Sequence, residues 1–388
     1  MFVYFIFEGN FICRFLYIFR PSSVPRSHFS HPKRKVLTLI INHLYLQILH
    51  SASESRFCVV NEIKEKKKQI CNHLYLLVYF SGLPCICSFK SKYMIISEKE
   101  VKTVLTKSNI PVGDYSVNPY VGCTHGCKYC YASFMKRFTG HTEPWGEFLD
   151  IKHWQEIKNP EKLRGKELFF GSVTDPYLPE EETYRRTRTL LEQLQGSGIK
   201  LSIATKSDLV LRDLDLIKTF PNARISWSVN TLDESFKDDM DKAVSIERRL
   251  TAMKAFHDAG VRTTCFISPI FPGITDAKAI IERAKDQCNL IWLENLNLRG
   301  TFKPLIMSYI KETRPELVPL YEEIYVRGKR DYWENLNIEL KALAEGLGLP
   351  YVRDDDSIKR PFDAPPIVVN YFYHEEVKKS AKVNKIDR

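Results

Sequence analysis

An excess of charge of either sign is missing from most of this chain. The formal net charge is +10, from 57 Lys and Arg against 47 Asp and Glu, but 13 of the basic and 4 of the acidic residues lie before residue 94. The rest carries 44 basic and 43 acidic residues, which removes the bulk argument for a duplex-binding surface and leaves only local patches. Clean apolar spans are missing too. Residues 71–89 are apolar and about long enough to cross a bilayer, yet they hold Asn72, His73, Gly82 and Pro84. Residues 1–19 are broken by Glu8 and Arg14 and lack a basic start and a small-residue cleavage site. Neither a membrane anchor nor a secretory leader is therefore expected. The ten cysteines mostly have no near neighbour, so a secreted disulfide framework is excluded and the reducing cytoplasm fits better. No repeat or low-complexity tract is present. An apolar fraction of 44% with 27% charged residues is that of a globular protein, long enough at 388 residues for two domains or one large α/β domain with appendages.

What is there begins late. The first 93 residues crowd Phe, Tyr, Ile, His and Ser without a steady period; they are expected to stand outside the fold, with Met94 as the true start. From residue 94 on, apolar runs rich in Ile, Val and Phe alternate with amphipathic stretches, the pattern of repeated βα units on a parallel sheet. Strands are expected over 116–121, 167–171, 200–205, 224–229, 262–267 and 290–293. Helices are expected over 130–138, over 181–195 before Gly196 and Gly198, and over 209–220 before Pro221. A further helix runs from Ser245 as N-cap to Ala259 before Gly260, and another spans 275–287 with Asp276 in its first turn. Six such units make an open, partial (β/α)6 barrel of the TIM type across 94–300, with ligand-binding loops at the C-terminal strand ends. The pattern then turns helical over 302–312, 315–326 and 331–345, and Pro-rich around 361–366. Residues 301–388 are read as a helical extension packed across the barrel opening.

Three of the cysteines stand in one loop, Cys123-Thr124-His125-Gly126-Cys127-Lys128-Tyr129-Cys130, with Tyr131 next. Thiolates are soft ligands that suit iron–sulfur clusters and zinc. Three thiolates on a cubane of four irons would leave one iron open to another ligand. Half a zinc site, completed by His125 or a remote residue, is the alternative, and a non-catalytic zinc module acting on nucleic acid is the function that goes with it. Zinc sites usually pair their cysteines twice, whereas here Cys265 and Cys288 are isolated and Cys85 and Cys87 lie in the atypical leader. Further motifs fall at the expected strand ends: Gly171-Ser172-Val173-Thr174-Asp175-Pro176-Tyr177, Thr205-Lys206-Ser207-Asp208, Trp227-Ser228-Val229-Asn230 and Glu294-Asn295. Hydroxyl, amide and ammonium groups there can meet a ligand's polar edge; an Asp-Pro turn and solvated strand ends are the bland readings. Cys265 reads as a small buried residue.

The cysteine spacing resembles that of the radical S-adenosyl-L-methionine (SAM) enzymes. Asn118-Pro119-Tyr120-Val121-Gly122-Cys123 and Cys127-Lys128-Tyr129-Cys130-Tyr131 are similar to the opening motif of the branch holding spore photoproduct lyase and proteins labelled DNA repair photolyases. Thr174-Asp175, Thr205-Lys206 and Ser228-Val229-Asn230 continue the match in order, most of all to radical SAM proteins encoded as a pair in mobile elements. The resemblance covers about residues 94–388. It implies a [4Fe-4S] cluster on Cys123, Cys127 and Cys130, with SAM bound to the open iron through its amino and carboxylate groups. It also implies cofactor contacts from Tyr129 near the adenine, Ser172, Thr174 and Asp175 near the amino group, Lys206 at the carboxylate, and Ser228 and Asn230 at the ribose. Reductive cleavage of SAM to a 5′-deoxyadenosyl radical would then draw on a flavodoxin- or ferredoxin-type donor. By analogy with the branch the substrate is a nucleic acid, and a companion radical SAM protein is a second partner to expect. One departure matters. Spore photoproduct lyase has a hydrogen-returning cysteine just before the Thr-Asp segment, where this chain has Ser172. An O–H bond is much stronger than S–H, so the same hydrogen return is not expected. Tyr129 and Tyr131 match a tyrosine pair in that lyase, which makes Tyr131 the candidate for a catalytic residue.

Overall fold

The computed structural model describes residues 3–7, 11–15, 94–108, 113–353 and 367–371. The chain divides into two units, Met1–Lys90 and Ser91–Arg388. In the first, β1 (Val3–Phe7) and β2 (Phe11–Phe15) pair as an antiparallel hairpin. The apolar segment 71–89 and the Pro-rich stretch 361–366 lie outside the described residues. Among the described residues no helix is long and apolar enough to cross a membrane.

The second unit contains β3 (Ile95–Glu100), β4 (Leu105–Lys107), β5 (Tyr115–Val117), β6 (Tyr120–Val121), β7 (Phe148–His153), β8 (Glu167–Phe170) and β9 (Lys200–Thr205). It continues with β10 (Arg224–Ser228), β11 (Arg262–Ile270), β12 (Leu290–Asn295), β13 (Tyr351–Arg353) and β14 (Ile367–Tyr371). Nine strands form one sheet in the order β13-β14-β12-β11-β10-β9-β8-β5-β4. All its pairs are parallel except β4 with β5. The run from β5 to β12 is the expected six-strand series in chain order, and the edge strands β4 and β13 do not meet, which leaves an open, partial barrel. A smaller sheet of β3, β7 and β6 lies where the chain enters the cysteine loop.

Pleating sorts the side chains of the large sheet. Leu168, Phe170, Leu201, Ile203, Ile225, Trp227, Ile291 and Leu293 are buried in one core with the helices. Alternate residues such as Ala204, Ser226, Ser228, Phe266, Ser268 and Glu294 are only half-buried, because they face the opposite side. The helices of this unit include α1 (Arg186–Leu194), α2 (Glu234–Met240), α3 (Ile246–Asp258), α4 (Ala277–Ala284), α5 (Phe302–Thr313) and α6 (Asp331–Gly346). In α3 the Ser245 hydroxyl accepts from the Arg248 amide, and Ile246, Leu250, Met253 and Phe256 recur on one buried face. Burying each such side chain contributes about 1.5–3 kcal/mol.

The structure differs from the sequence reading at several points. The strand expected over 116–121 is two strands: β5 pairs with β8, and after Asn118 and Pro119 the chain enters β6, which pairs antiparallel with β7. Proline has no amide to continue a ladder. The helix expected over 130–138 is a 3₁₀ helix, Tyr131–Phe138. The helix over 181–195 is interrupted at Arg185, which sits at φ 49°, between Glu181–Tyr184 and α1. Over 209–220 a 3₁₀ segment, Leu209–Asp213, precedes the short helix Leu214–Ile217. Asp276 is the N-cap of α4, accepting from the Ala279 amide at 2.9 Å, rather than a first-turn residue. The C-terminal extension does more than cover an opening. Its β14 and β13 prolong the sheet beyond β12, and α6 places Trp333, Leu340 and Ala344 in the main core. Others go elsewhere: Phe302, Ile306 and Ile310 of α5 and Tyr321 of the helix Val318–Tyr325 join a second core with Tyr129, Phe236, Phe271 and Leu296.

Candidate functional site

The cysteine loop is shaped by close backbone passages. Gly122 sits at φ 90°, and a Cβ there would lie 2.3 Å from the Phe148 carbonyl oxygen on β7. A Cβ on Gly146 would lie 2.7 Å from the Cα of Gly126, so these two glycines pass backbone to backbone. Within the loop the Gly126 amide donates to the Cys123 carbonyl at 3.0 Å and the Cys130 amide to the Cys127 carbonyl at 3.2 Å. The Lys128 amide donates to the Met240 carbonyl at 2.9 Å, and the Lys242 amide to the His125 carbonyl at 2.8 Å, tying the loop to the end of α2. So held, Cys123 is buried and Cys127 and Cys130 are half-buried, all three as free thiols.

Burial pushes the Cys123 thiol well above its ordinary value, and charge on Cys127 or Cys130 would push it further. Burial also raises Cys127, to about 12, against the opposing pull of the Lys206 ammonium. Cys130 is raised by burial and eased by the Ala132 amide and by Lys206. Buried thiols that oppose one another's ionisation lose their protons together only when a multivalent metal group shares them. The donor set therefore suits such a group. Among the described residues no three or more His, Cys, Asp or Glu side chains gather closely enough to hold a single ion. His125, the local choice for a fourth zinc ligand, turns its Nε2 to Asp175 Oδ2 at 3.1 Å and leaves Nδ1 buried without a hydrogen-bond partner among the described residues, but it does not gather with the thiols into such a group. Three sulfurs without a fourth protein donor fit a cluster with an open corner better than a closed zinc site.

The other expected residues divide by what they touch. Thr174 and Asn230 are each 2% exposed, and Thr174 Oγ1 and Asn230 Nδ2 have no hydrogen-bond partner among the described residues. Leaving such a group unsatisfied costs about 1–3 kcal/mol, which a bound polar ligand would offset. The Lys206 ammonium stands 5.7 Å over the Tyr129 ring and acts on both Cys127 and Cys130. Tyr129 is buried; its hydroxyl donates to Asp241 at 3.4 Å, and its ring meets Phe271 edge-on with centroids 5.5 Å apart. Ser228 ends β10, and its carbonyl accepts from Arg249, which also pairs with Asp241 at 2.7 Å. The Ser172 hydroxyl accepts from Asn118 Nδ2 at 2.8 Å, while its carbonyl accepts from the Tyr131 hydroxyl.

Asp175, expected as a cofactor contact, is met by protein donors on both oxygens. Its Oδ1 accepts from the Tyr177 amide at 2.9 Å and the Thr205 hydroxyl at 2.7 Å. Its Oδ2 accepts from the Lys206 amide at 2.7 Å and from His125. Burial opposes its charge, yet His125 and the amides outweigh burial and hold the carboxyl below its ordinary range. With both oxygens occupied, Asp175 braces the ends of β8 and β9 against the cysteine loop. Sequence reasoning missed this brace and the Asn118 hold on Ser172, although both His125 and Asn118 stand inside the motifs it singled out. Gly146, Asp241 and Arg249 carried no local pattern that would have marked them.

The profile of the Radical SAM superfamily matches residues 117–284. An uncharacterised protein of Methanocaldococcus jannaschii is 34% identical over 228 residues, 58% of this chain and 86% of its own length. A radical SAM Nalpha-GlyT isomerase of Pseudomonas phage M6 is 26% identical over 172 residues, 42% of this chain and 35% of that protein. Among solved structures, a mutant spore photoproduct lyase with bound AdoMet and dinucleoside spore photoproduct aligns at a TM-score of 0.45 with 14% identity, covering 63% of this chain and 79% of that one.

Proposed function

The chain belongs to the Radical SAM superfamily, and from that premise we propose that Cys123, Cys127 and Cys130 hold its cluster and that the C-terminal strand ends around them bind its second cofactor. The cofactors are those of the superfamily, a [4Fe-4S] cluster and SAM, and the protein is an enzyme that needs a reductant. Together, when bound, they supply reductive cleavage of the sulfonium to methionine and a 5′-deoxyadenosyl radical that removes a hydrogen atom from the substrate.

The residues of this chain bind and orient. Gly122 lets the cysteine loop pack against β7, and Gly146 lets Gly126 of that loop pass close, without a Cβ in the way. Lys206 brings a compact cation beside two of the thiols, where a ligand carboxylate would be met by a charge-assisted contact. Thr174 Oγ1 and Asn230 Nδ2 are buried polar atoms suited to amino and hydroxyl groups. Tyr129, Phe271 and the apolar face of α5 exclude water from one flank. Ser172 keeps its hydrogen, and the Tyr131 hydroxyl, held on the Ser172 carbonyl, is the group we assign to a hydrogen relay. The substrate we favour is a nucleic acid handled in a lyase-like reaction, supported by the order of motifs shared with the photolyase-like branch. The electron would come from a flavodoxin- or ferredoxin-type protein in the cytoplasm.

One observation carries this reading: three free thiols in one loop, two of them beside Lys206, with no further His, Cys, Asp or Glu among the described residues gathered closely enough to complete a single-ion site. Reconstitution with iron and sulfide under anaerobic conditions should give about four irons per chain. Adding SAM and a reductant should then release 5′-deoxyadenosine. Stoichiometric zinc without that product would overturn the reading. Deuterium traced into 5′-deoxyadenosine from labelled DNA, RNA and protein would identify the substrate class.

A further inference from the structure

We propose that the surface made by the 3₁₀ helix Tyr131–Phe138 and the neighbouring segment 299–305 is the docking site of a small acidic redox protein, the source of the electron for the cysteine loop. The proposal rests on the radical SAM reading above. Its first support is a gap in the distribution of charge. Residues 115–142 hold Lys128, Lys136 and Arg137 but no Asp or Glu. Residues 295–311 hold Arg299, Lys303 and Lys311, again without a carboxylate. Carboxylate-free runs as long as the second also occur at 216–232 and 259–275, so the support lies in these two runs, with six basic residues between them, meeting at one surface. The fold brings them side by side: Ser133 Oγ lies 3.2 Å from Thr301 Oγ1, and the Lys128 ammonium lies 5.2 Å over the Tyr309 ring of α5.

The second support is apolar. Phe134, Phe138 and Leu305 are 42%, 66% and 58% exposed, an unusual outlay of large apolar side chains on so short a stretch. The Arg137 guanidinium covers both rings, 5.4 Å from that of Phe134 and 4.6 Å from that of Phe138. A small apolar centre with a basic rim suits a weak, transient encounter with an acidic partner, steered by charge.

Position is the third. The helix starts at the residue after Cys130, so this surface begins beside a thiol. Other sides of the loop are covered by β7, by Gly146, by the end of α2 and by Asp175. Single-stranded nucleic acid also favours mixed basic and aromatic surfaces. Here, however, Phe134 and Phe138 stand at 90° to each other with centroids 6.5 Å apart, and Arg137 already covers them, so consecutive bases would find no parallel ring faces.

The experiment compares two electron sources on the reconstituted full chain, reading 5′-deoxyadenosine release with reduced flavodoxin or with dithionite. Arg137→Glu, Phe138→Ala and Leu305→Glu should each slow the flavodoxin-driven rate about tenfold at low salt, as charge steering and a small contact predict. The dithionite-driven rate and the iron content should stay as in the unsubstituted protein. Added salt should slow only the flavodoxin-driven reaction of the unsubstituted protein. Unchanged flavodoxin-driven rates in all three variants would overturn the proposal. So would loss of single-stranded oligonucleotide binding with the flavodoxin-driven rate intact, which would assign the surface to nucleic acid. Failure of the unsubstituted protein to cleave SAM even with dithionite would instead refute the radical SAM reading, and this proposal with it.

Discussion

Asp175 and Lys206 are adjacent in space, and the sequence marked both for the cofactor, yet their surroundings give them different work. Asp175 accepts from four protein donors. Asp175→Asn should destabilise the apo-protein by about 2 kcal/mol, since a hydrogen bond to a charged group contributes about 1.5–3 kcal/mol. The sign of its pH dependence follows from the lowered carboxyl: the stabilisation is complete above the unfolded value of about 3.9 and is lost as pH falls through the lower folded one. Thermal unfolding of the two apo-proteins should therefore differ near neutral pH and draw together as pH falls below the unfolded value of about 3.9; a gap that does not narrow in acid would show that the carboxylate charge is not responsible. Lys206 carries its ammonium beside the thiols without holding the fold together. Lys206→Ala should weaken SAM binding by about tenfold to a hundredfold, the loss of one charge-assisted contact, with iron per chain unchanged. Equilibrium dialysis and iron analysis of the same sample check both, and loss of iron would refute the assignment.

At the scale of elements, the loop between β6 and the 3₁₀ helix depends on where backbones pass. Gly122→Ala meets both a left-handed φ and the Phe148 carbonyl. It should cost about 2–4 kcal/mol and lower the iron retained, because β7 or the loop must move. Gly140→Ala, also at positive φ but with nothing within 4 Å, should cost only about 1 kcal/mol and leave iron unchanged. Thermal melts and iron content of the two variants separate strain from collision. The strands were legible wherever pleating set buried residues against half-buried ones, as in β8 and β10, because that alternation is written in consecutive residues. The break between β5 and β6 was not legible from period alone, since the apolar run continues across Pro119 while the pairing partner changes. Arg185 at φ 49° left no mark either, because its neighbours on both sides keep helical character.

On the scale of the whole molecule, the two units invite a direct test of the reading that residues 1–93 stand outside the fold. A chain beginning at Met94 should melt as the full chain's second unit does and take up the same iron per chain; a loss of either would tie the leader to the fold. The sequence by itself determined the spacing of the three thiols in the cysteine loop and the order of the six central strands. Both depend on residues close together along the chain, where ligand spacing and strand period are fixed by local geometry. Only the tertiary structure decided that His125 faces Asp175, that β14 and β13 lengthen the sheet beyond β12, and that the carboxylate-free stretches around 131 and 301 meet. Each of these joins segments distant in sequence, and which segments meet is settled by packing the whole core.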